Sequence, residues 1–363
     1  MEMSAGNATL FHNLRDVIGG MEEVESTWLP IDQHPRTWMA KVPPLSFSWS
    51  LQRAAVARTS VRSHEKSGMK FDAAFFNTTQ VSLFLRDFRK RVPAVDSMDM
   101  TPVLLARNGD YYQYRPRAGN VETFRNFKHN LTRRIFQEAA YLLPWSNWTK
   151  ASLVDDYGIS ESKIKVLPPG INLEKWTRGQ NVKARAKGRN LQILFVGGEF
   201  LRKGGDVLLR VAMQDEFKNF NFHFVTKSFE GPRPPNVFVY DNLGSNHRSL
   251  VELYEDADIF VLPTRADFFS IASLEAMAME VPVITTNVGG IEDIIQNGKN
   301  GFMVQVNDEH AIVERLRQLV HSRILRKTLG RNGRKSIEVK FNLRKNARTI
   351  VEYLKLAAER KAA

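Results

Sequence analysis

The chain has 363 residues, of which 43% are hydrophobic and 25% are charged, and its net charge at pH 7 is +13. This composition is typical of a two-domain globular protein and excludes a disordered or collagen-like chain. No apolar run approaches the roughly 20 residues of a membrane-spanning helix, and the N-terminus shows no apolar signal-peptide core. Because there is no cysteine, disulfides and thiolate chemistry are also excluded, and we expect a cytoplasmic protein.

The positive charge is concentrated in residues 51–150 and in the stretch from Arg315 to Arg348. Such an excess of Lys and Arg favours an anionic partner: nucleic acid, anionic lipid or a phosphorylated ligand. The alternative is solvated surface charge with a few phosphate-binding groups. Charge alone does not decide between these interpretations.

Short apolar runs rich in Val, Ile and Phe alternate with helical patterns along the chain. They predict strands at Phe71–Asn77, Ala94–Met98, Ile164–Leu167, Gln192–Val196, Asn221–Val225, Val237–Tyr240, Asp258–Leu262 and Val281–Thr285. Strands that alternate with amphipathic helices predict an α/β fold with parallel sheets and helices on both faces. The polar, basic stretch Thr177–Asn190 has no apolar period, so we expect two domains there, residues 1–182 and 183–342.

A basic helical pattern covers Leu51–Lys70. Its cations are spaced along the predicted helix: Arg53, Arg58, Arg62, Lys66 and Lys70. The apolar face of this helix is thin, so membrane binding would depend on charge. We interpret the helix as a candidate peripheral contact with an anionic membrane, at its inner face.

The strand Gln192–Val196 leads into Gly197-Gly198, a short loop and a helix that opens near Gly204. Glycines there allow a ligand to approach the backbone, and Arg202 and Lys203 place positive charge beside the helix N-terminus. A diphosphate would be held well by such a loop. Since glycine-rich turns with a surface lysine are common, the alternative for Lys203 is an exposed lysine without a ligand.

A later segment of the second domain carries two carboxylates. Asp267 lies in a predicted loop, and Glu275 lies eight positions later in a helix that begins about Ser270, whose hydroxyl suits an N-cap. The amides of Phe269, Ser270 and Ile271 would point beyond the strand ends, where open α/β sheets bind ligands. A capping role for Asp267 and a solvated position for Glu275 are the alternatives.

These features resemble the signature of glycosyltransferase family 4: two acidic residues with seven residues between them, then an apolar strand and the turn Gly289-Gly290. The resemblance covers nearly all of the second domain. It implies a GT-B fold, with two Rossmann-like domains facing each other across a cleft, and retaining transfer of a sugar from a UDP- or GDP-sugar. It also implies that the C-terminal helix, residues 343–363, packs back on the first domain.

The resemblance implies a role for individual residues. Asp267 would bond the hydroxyls of the donor sugar, Glu275 the ribose and Lys203 the phosphates. The family has glutamate at the position of Asp267, and a glycine–arginine pair where Gly197-Gly198 stand, so Arg202 is the candidate substitute for that arginine. The backbone amides that would bond sugar and phosphate oxygens belong to Phe269, Ser270, Ile271 and Ala272.

In the first domain the resemblance is carried by fewer residues. Met3–Thr9 resembles the glycine loop that faces the donor phosphates, which makes Gly6 a donor-binding candidate. The strand Ala94–Met98 delivers Asp99 to its carboxyl end, where a carboxylate would stabilise positive charge on the sugar; a turn-forming Asp is the alternative. Neither Asp96 nor Asp99 is accompanied by a ligand cluster, so we expect metal-independent turnover without a cofactor.

Together these patterns predict a hexosyltransferase whose acceptor is a glycan, a lipid-linked sugar or a small molecule. The loop Tyr240–Leu243 is expected to meet the nucleotide base. A nucleotide-sugar isomerase or phosphorylase on the same fold stays open, because fold does not dictate reaction. A basic nucleic-acid-binding protein also stays open, although no known reader motif is present.

Overall fold

The protein consists of parallel strands with helices between them, in a computed structural model that describes residues 1–3, 5–32, 49–111, 121–179 and 188–362. Within these residues the strands are β1 (Glu2–Met3), β2 (Ile31–Asp32), β3 (Ala74–Phe76), β4 (Ala94–Met98), β5 (Tyr141–Pro144), β6 (Gln192–Val196), β7 (Asn221–Val225), β8 (Val237–Tyr240), β9 (Ile259–Leu262), β10 (Val283–Thr286) and β11 (Phe302–Val304). The helices are α1 (Ala5–Ile18), α2 (Trp49–Lys66), α3 (Arg86–Arg91), α4 (Pro102–Arg107), α5 (Val121–Glu138), α6 (Asn147–Asp155), α7 (Gly205–Ala212), α8 (Arg248–Asp256), α9 (Ile271–Ala278), α10 (Glu309–His321), α11 (Arg323–Lys340) and α12 (Leu343–Ala362).

The chain divides into two compact units. Unit 1 contains Met1–Gly109, Tyr114–Gly170 and Leu343–Ala363, and unit 2 contains Asp110–Gln113 and Ile171–Asn342. The division after Gly170 precedes the boundary expected at 182/183, which itself lies outside the described residues. The division falls earlier because Ile171 already bonds to the last residues of unit 2. Its amide donates a hydrogen bond to the Phe341 carbonyl at 2.7 Å.

Unit 1 contains two parallel sheets. One joins β3, β4 and β5, and the other pairs β1 with β2. Every residue of β4 is buried, because helices and loops cover both faces of a parallel sheet. Helix α12 packs against α1 and β4, so the C-terminal helix belongs to unit 1.

The predicted strand Ile164–Leu167 is not a regular strand in the structure. Only Ile164 pairs with the sheet, in an isolated parallel β-bridge with Leu142 of β5. Pro168 and Pro169 follow directly, and prolines lack the N–H groups that would continue the ladder. The prediction of a regular strand was therefore wrong, although the segment does lie beside the sheet.

The N-terminus departs from the predicted glycine loop. Strand β1 is present with two residues, and α1 begins at Ala5, so Gly6 lies in the first turn of a helix. Asn7, Leu10 and Leu14 recur at helical spacing and are all buried, which shows that the buried face of the helix already begins within the segment predicted as a loop. Position 4 of the predicted loop lies outside the described residues.

Unit 2 is built on a sheet of six parallel strands in the order β11-β10-β9-β6-β7-β8, counted over the described ranges. This is a doubly wound order, which reverses between β6 and β9. Both β9 and β10 are buried along their whole length, which explains their continuous apolar sequences. In such sheets ligands bind outside the carboxyl ends of the strands at the reversal, so the loops after Val196 and Leu262 are the expected binding position.

Candidate functional site

A buried ion pair lies where the loops after β6 and β9 meet. The Lys203 ammonium donates to Oδ2 of Asp267 at 2.6 Å, and the two side chains are only 15% and 9% exposed. Burial lowers the pKa of Lys203, and the charge of Asp267 opposes that shift. The two residues are separated by 63 others in the sequence, and the strand reversal brings them together. The alternative of an exposed, unengaged Lys203 is wrong.

Three glycines shape the loop that carries Lys203. A Cβ at Gly197 would lie 2.8 Å from the Lys203 Cβ, and a Cβ at Gly204 would lie 1.9 Å from the carbonyl oxygen of Pro263. Gly204 also has a φ of +75°, in the left-handed region. Gly198 differs, because a Cβ there would meet no atom within 4 Å. The loop therefore packs tightly on β9 and leaves open space at Gly198.

Arg202 is engaged within the protein. Its Nε and Nη2 donate to the two carboxylate oxygens of Glu199 at 3.0 and 2.6 Å, and its Nη1 donates to the Ala266 carbonyl at 2.8 Å. These hydrogen bonds lower the pKa of Glu199. Arg202 thus holds the residue next to Asp267 and is largely engaged by protein groups.

Asp267 is held by groups to which the sequence assigned no role. Arg265 donates two hydrogen bonds to the Asp206 carboxylate, at 2.5 and 2.7 Å, and so ties the loop to the first turn of α7. Gly289 has a φ of +55°, and a Cβ there would lie 2.0 Å from the Asp267 carbonyl oxygen. The only sequence signal for this contact was the Gly289-Gly290 turn, which the family resemblance included.

Helix α9 begins beside the Lys203–Asp267 ion pair. Ser270 is its N-cap and accepts a hydrogen bond from the Ser273 amide at 3.2 Å, which confirms the predicted cap and leaves no capping role for Asp267. Phe269 is buried. The amides of Ile271 and Ala272 occupy the first helical positions, where no intrahelical acceptor exists and where the helix dipole favours an anion.

Glu275 is a buried carboxyl, not the solvated residue that the alternative assumed. It is 5% exposed and lies beside Tyr254, whose hydroxyl donates to the Ala272 carbonyl at 3.1 Å. Burial raises the pKa of Glu275 to about 8, and the neighbouring Tyr254 hydroxyl partly opposes this shift. At pH 7 the carboxyl is therefore mostly neutral in the ligand-free protein.

A surface pocket of about 490 Å³ adjoins the loop after β8. Tyr240, Asn242, Leu243 and His247 contribute to its lining. This is the loop that was expected to meet the nucleotide base. A volume of about 490 Å³ is large enough for the flat ring of a nucleotide base.

The carboxylates of unit 1 have separate environments. Asp99 follows β4 and is half-buried, and its carbonyl accepts a hydrogen bond from the Thr149 hydroxyl at 2.6 Å. Asp96 is buried in a two-bond ion pair with Arg89, at 2.7 and 2.8 Å. In the part of the chain that the structure describes, no three His, Asp or Glu side chains cluster as metal ligands would.

The predicted helix Leu51–Lys70 corresponds to α2, which ends at Lys66. Arg53 is buried because the first half of α2 packs in the core of unit 1, and Lys70 lies beyond the helix. Of the cations predicted along this helix, Arg62 and Lys66 are exposed on α2. No helix among the described residues is both long and apolar enough to cross a bilayer.

Residues 234–336 match the sequence model of a family described as "Glycosyl transferases group 1". The chain is also 33% identical, over 157 residues, to the capsular polysaccharide biosynthesis glycosyltransferase CapM of Staphylococcus aureus. That match covers 43% of this chain and 36% of CapM, so the chain spans about a third of the relative's length. The family match lies within unit 2, which contains the ion pair and α9.

Solved structures resemble the chain over nearly its whole length. The sucrose-phosphate synthase of Thermosynechococcus elongatus has a TM-score of 0.74 at 17% identity, and the match covers 99% of this chain and 95% of that one. The Anabaena protein Alr3699/HepE, in a complex with UDP-glucose, has a TM-score of 0.65 at 17% identity, with 90% and 85% covered. The predicted fold class is thereby confirmed: the chain has the GT-B fold, and residues 234–336 of its second unit are similar in sequence to the group 1 glycosyl transferases.

Proposed function

We propose that the protein is a retaining glycosyltransferase, which moves a hexosyl group from a UDP- or GDP-sugar to a hydroxyl group of an acceptor. The observation that carries this proposal is the 2.6 Å contact between Lys203 and Asp267. It combines a cation suited to a diphosphate with a carboxylate suited to sugar hydroxyls, at the strand reversal where open α/β sheets bind ligands. The UDP-glucose complex of HepE supports a nucleotide-sugar donor.

Donor binding would exchange the partners of this ion pair. Lys203 and Asp267 neutralise each other in the ligand-free protein. The diphosphate takes the Lys203 ammonium together with the first amides of α9, while the Asp267 carboxylate accepts hydrogen bonds from the sugar. Because both side chains are nearly buried, these interactions are stronger than they would be in water. Glu275 bonds the ribose, and the pocket beside Tyr240 receives the base.

In the reaction, the bond between the anomeric carbon and the diphosphate oxygen breaks, the acceptor hydroxyl oxygen bonds to the anomeric carbon, and the hydroxyl proton passes to the leaving diphosphate. Negative charge develops on the diphosphate and positive charge on the sugar ring. Lys203 and the N-terminus of α9 stabilise the leaving diphosphate, and Asp267 keeps the sugar in place. Asp99 is the unit 1 group proposed to stabilise the positive ring. No step in this scheme needs a metal ion or a cofactor.

The acceptor is proposed to be a glycan, a lipid-linked sugar or a small molecule. The name of CapM refers to capsular polysaccharide biosynthesis, which favours a glycan or a lipid-linked sugar. A peripheral membrane contact through residues 51–70 is also proposed, and on α2 its exposed cations are Arg62 and Lys66. We place the protein in the cytoplasm, where nucleotide-sugars are the available donors.

The test is release of nucleoside diphosphate from UDP-glucose, UDP-galactose and GDP-mannose, with a panel of glycan and lipid-linked acceptors. Lys203→Ala and Asp267→Asn are expected to lower turnover at least a hundredfold. Lys218→Ala is the matched control, since Lys218 pairs with Asp215 on the exposed surface of the same unit. The anomeric configuration of the product, read by NMR, decides retention. Interconversion of the donor sugar without an acceptor would instead show an isomerase.

A further inference from the structure

Helix α11 has two chemically different faces. Its buried face contains Leu329, Gly330, Gly333 and Ile337. The helix packs on α9, and the contact is close: a Cβ at Gly330 would lie 2.1 Å from the backbone oxygen of Glu280. The position of α11 is therefore fixed, and its opposite face points away from the core.

That opposite face forms one continuous line of exposed residues, which we call the outer stripe: Ile324, Lys327, Arg331, Lys335 and Val339. The spacing of three, four, four and four residues places all five side chains on one side of an α-helix. Glu338, the acidic residue of α11, pairs with Arg334 at 2.8 Å. The same exposed side also carries Glu338, whose charge that pairing with Arg334 offsets, so the three cations of the outer stripe are not neutralised by it.

The cations of the outer stripe lack the partners that several other surface cations of unit 2 have. Lys327, Arg331 and Lys335 form no ion pair and no side-chain hydrogen bond with any residue in the described ranges. Comparable exposed arginines are paired at 2.7–2.9 Å, in Arg210–Glu309, Arg248–Glu252 and Arg317–Glu216. The helix as a whole carries seven basic residues in eighteen. Such unbalanced positive charge favours an anionic surface as its counterpart.

The two ends of the outer stripe are apolar. Ile324 is 80% exposed and Val339 is 64% exposed, the highest values for large hydrophobic side chains in the described part of the chain. A rise of 1.5 Å per residue separates them by roughly 22 Å along the helix. Both therefore border the same row of cations, so the outer stripe exposes apolar side chains beside positive charge.

We propose that the outer stripe of α11 docks the protein on a phospholipid bilayer that contains anionic lipids. The three cations contact the headgroups, and the two apolar side chains enter the boundary between headgroups and acyl chains. Nucleic acid offers the same negative charge but no apolar phase for Ile324 and Val339, so the observations favour a lipid surface. This docking surface is independent of the sugar-transfer site and holds whatever reaction unit 2 supports.

The test is co-sedimentation of the full chain with vesicles of phosphatidylcholine alone or mixed with phosphatidylglycerol. Wild type is expected to bind only the anionic vesicles. The triple variant K327Q/R331Q/K335Q should partition about a hundredfold more weakly, and I324Q/V339Q at least tenfold more weakly. The matched control is R210Q/R248Q/R317Q, which removes the same number of charges from paired positions and should bind nearly as wild type. Thermal unfolding of each variant verifies that it is folded.

Several outcomes would overturn the proposal. Equal losses in the two triple variants would show that net charge, not the outer stripe, sets binding. Loss only on R62Q/K66Q would place the membrane contact on α2. Absence of binding to anionic vesicles, or tighter binding to duplex DNA that the outer-stripe variant abolishes, would exclude a lipid surface as the partner.

Discussion

Replacing Glu275 by Gln is expected to stabilise the ligand-free protein, and the gain should grow with pH. The pKa of this carboxyl is about 8 in the folded protein, against 4.5 for a solvated glutamate. Between these values the unfolded chain has lost the proton that the folded protein keeps, so stability falls as pH rises from 4.5 to 8. Glutamine occupies the same volume and does not ionise, so it removes this pH-dependent cost.

The size of the effect follows from the pKa difference. At about 1.4 kcal/mol for each pKa unit, the cost is roughly 3 kcal/mol at pH 7 and approaches about 5 kcal/mol above pH 8. For a unit of this size, about 3 kcal/mol corresponds to a rise in Tm of roughly 6–12 °C. Thermal unfolding of wild type and Glu275→Gln between pH 5 and pH 9 measures the difference directly.

The matched control is Glu314→Gln, at an exposed position of α10. It removes the same charge from the surface and is expected to change Tm little across this pH range. A Tm difference for Glu275→Gln that stays flat from pH 5 to pH 9 would refute the reasoning, because it would show that the Glu275 carboxyl is ionised in the folded protein.

Three further results are expected. Gly289→Ala places a Cβ 2.0 Å from the Asp267 carbonyl oxygen. The shifted loop should lower turnover about a hundredfold, while circular dichroism should show that the fold is kept. Near-wild-type turnover would contradict the contact. Nucleotide binding at pH 7 should release close to one proton from Glu275, because ribose hydroxyls favour the ionised form of its carboxyl. Calorimetry in buffers of different ionisation enthalpy should find this proton release in wild type and not in Glu275→Gln. Turnover should persist in EDTA, and its loss with recovery on added Mg²⁺ would show that a metal assists the leaving group instead.

Several strands of unit 2 could be predicted because their sequences are rich in Val, Ile and Phe. The bounds of β6, β7 and β8 were predicted without error, since each such segment is bounded by polar or turn residues. Short strands gave no such signal: β11 has three residues, and β1 and β2 have two each. Their sequences are too short for a period to be recognised, and only pairing with neighbours makes them strands.

The candidate site was predictable as a set of residue types but not as an arrangement. The resemblance selected Lys203 and Asp267, yet only the strand order shows that they form an ion pair. The engagement of Arg202 by Glu199 and the burial of Glu275 depend on tertiary packing, which sequence spacing does not report. The prediction of a loop around Gly6 was wrong, because a glycine near a strand end is equally compatible with the first turn of a helix.

The most direct test of the central claim is calorimetric titration of UDP-glucose and GDP-mannose into wild type, Lys203→Ala and the surface control Lys218→Ala. Loss of the charge-assisted hydrogen bonds to the diphosphate should weaken binding to Lys203→Ala roughly 10- to 100-fold. The control should bind as wild type does. Binding of a nucleotide-sugar with equal affinity to all three proteins would contradict the account, because it would place the donor away from the Lys203–Asp267 pair.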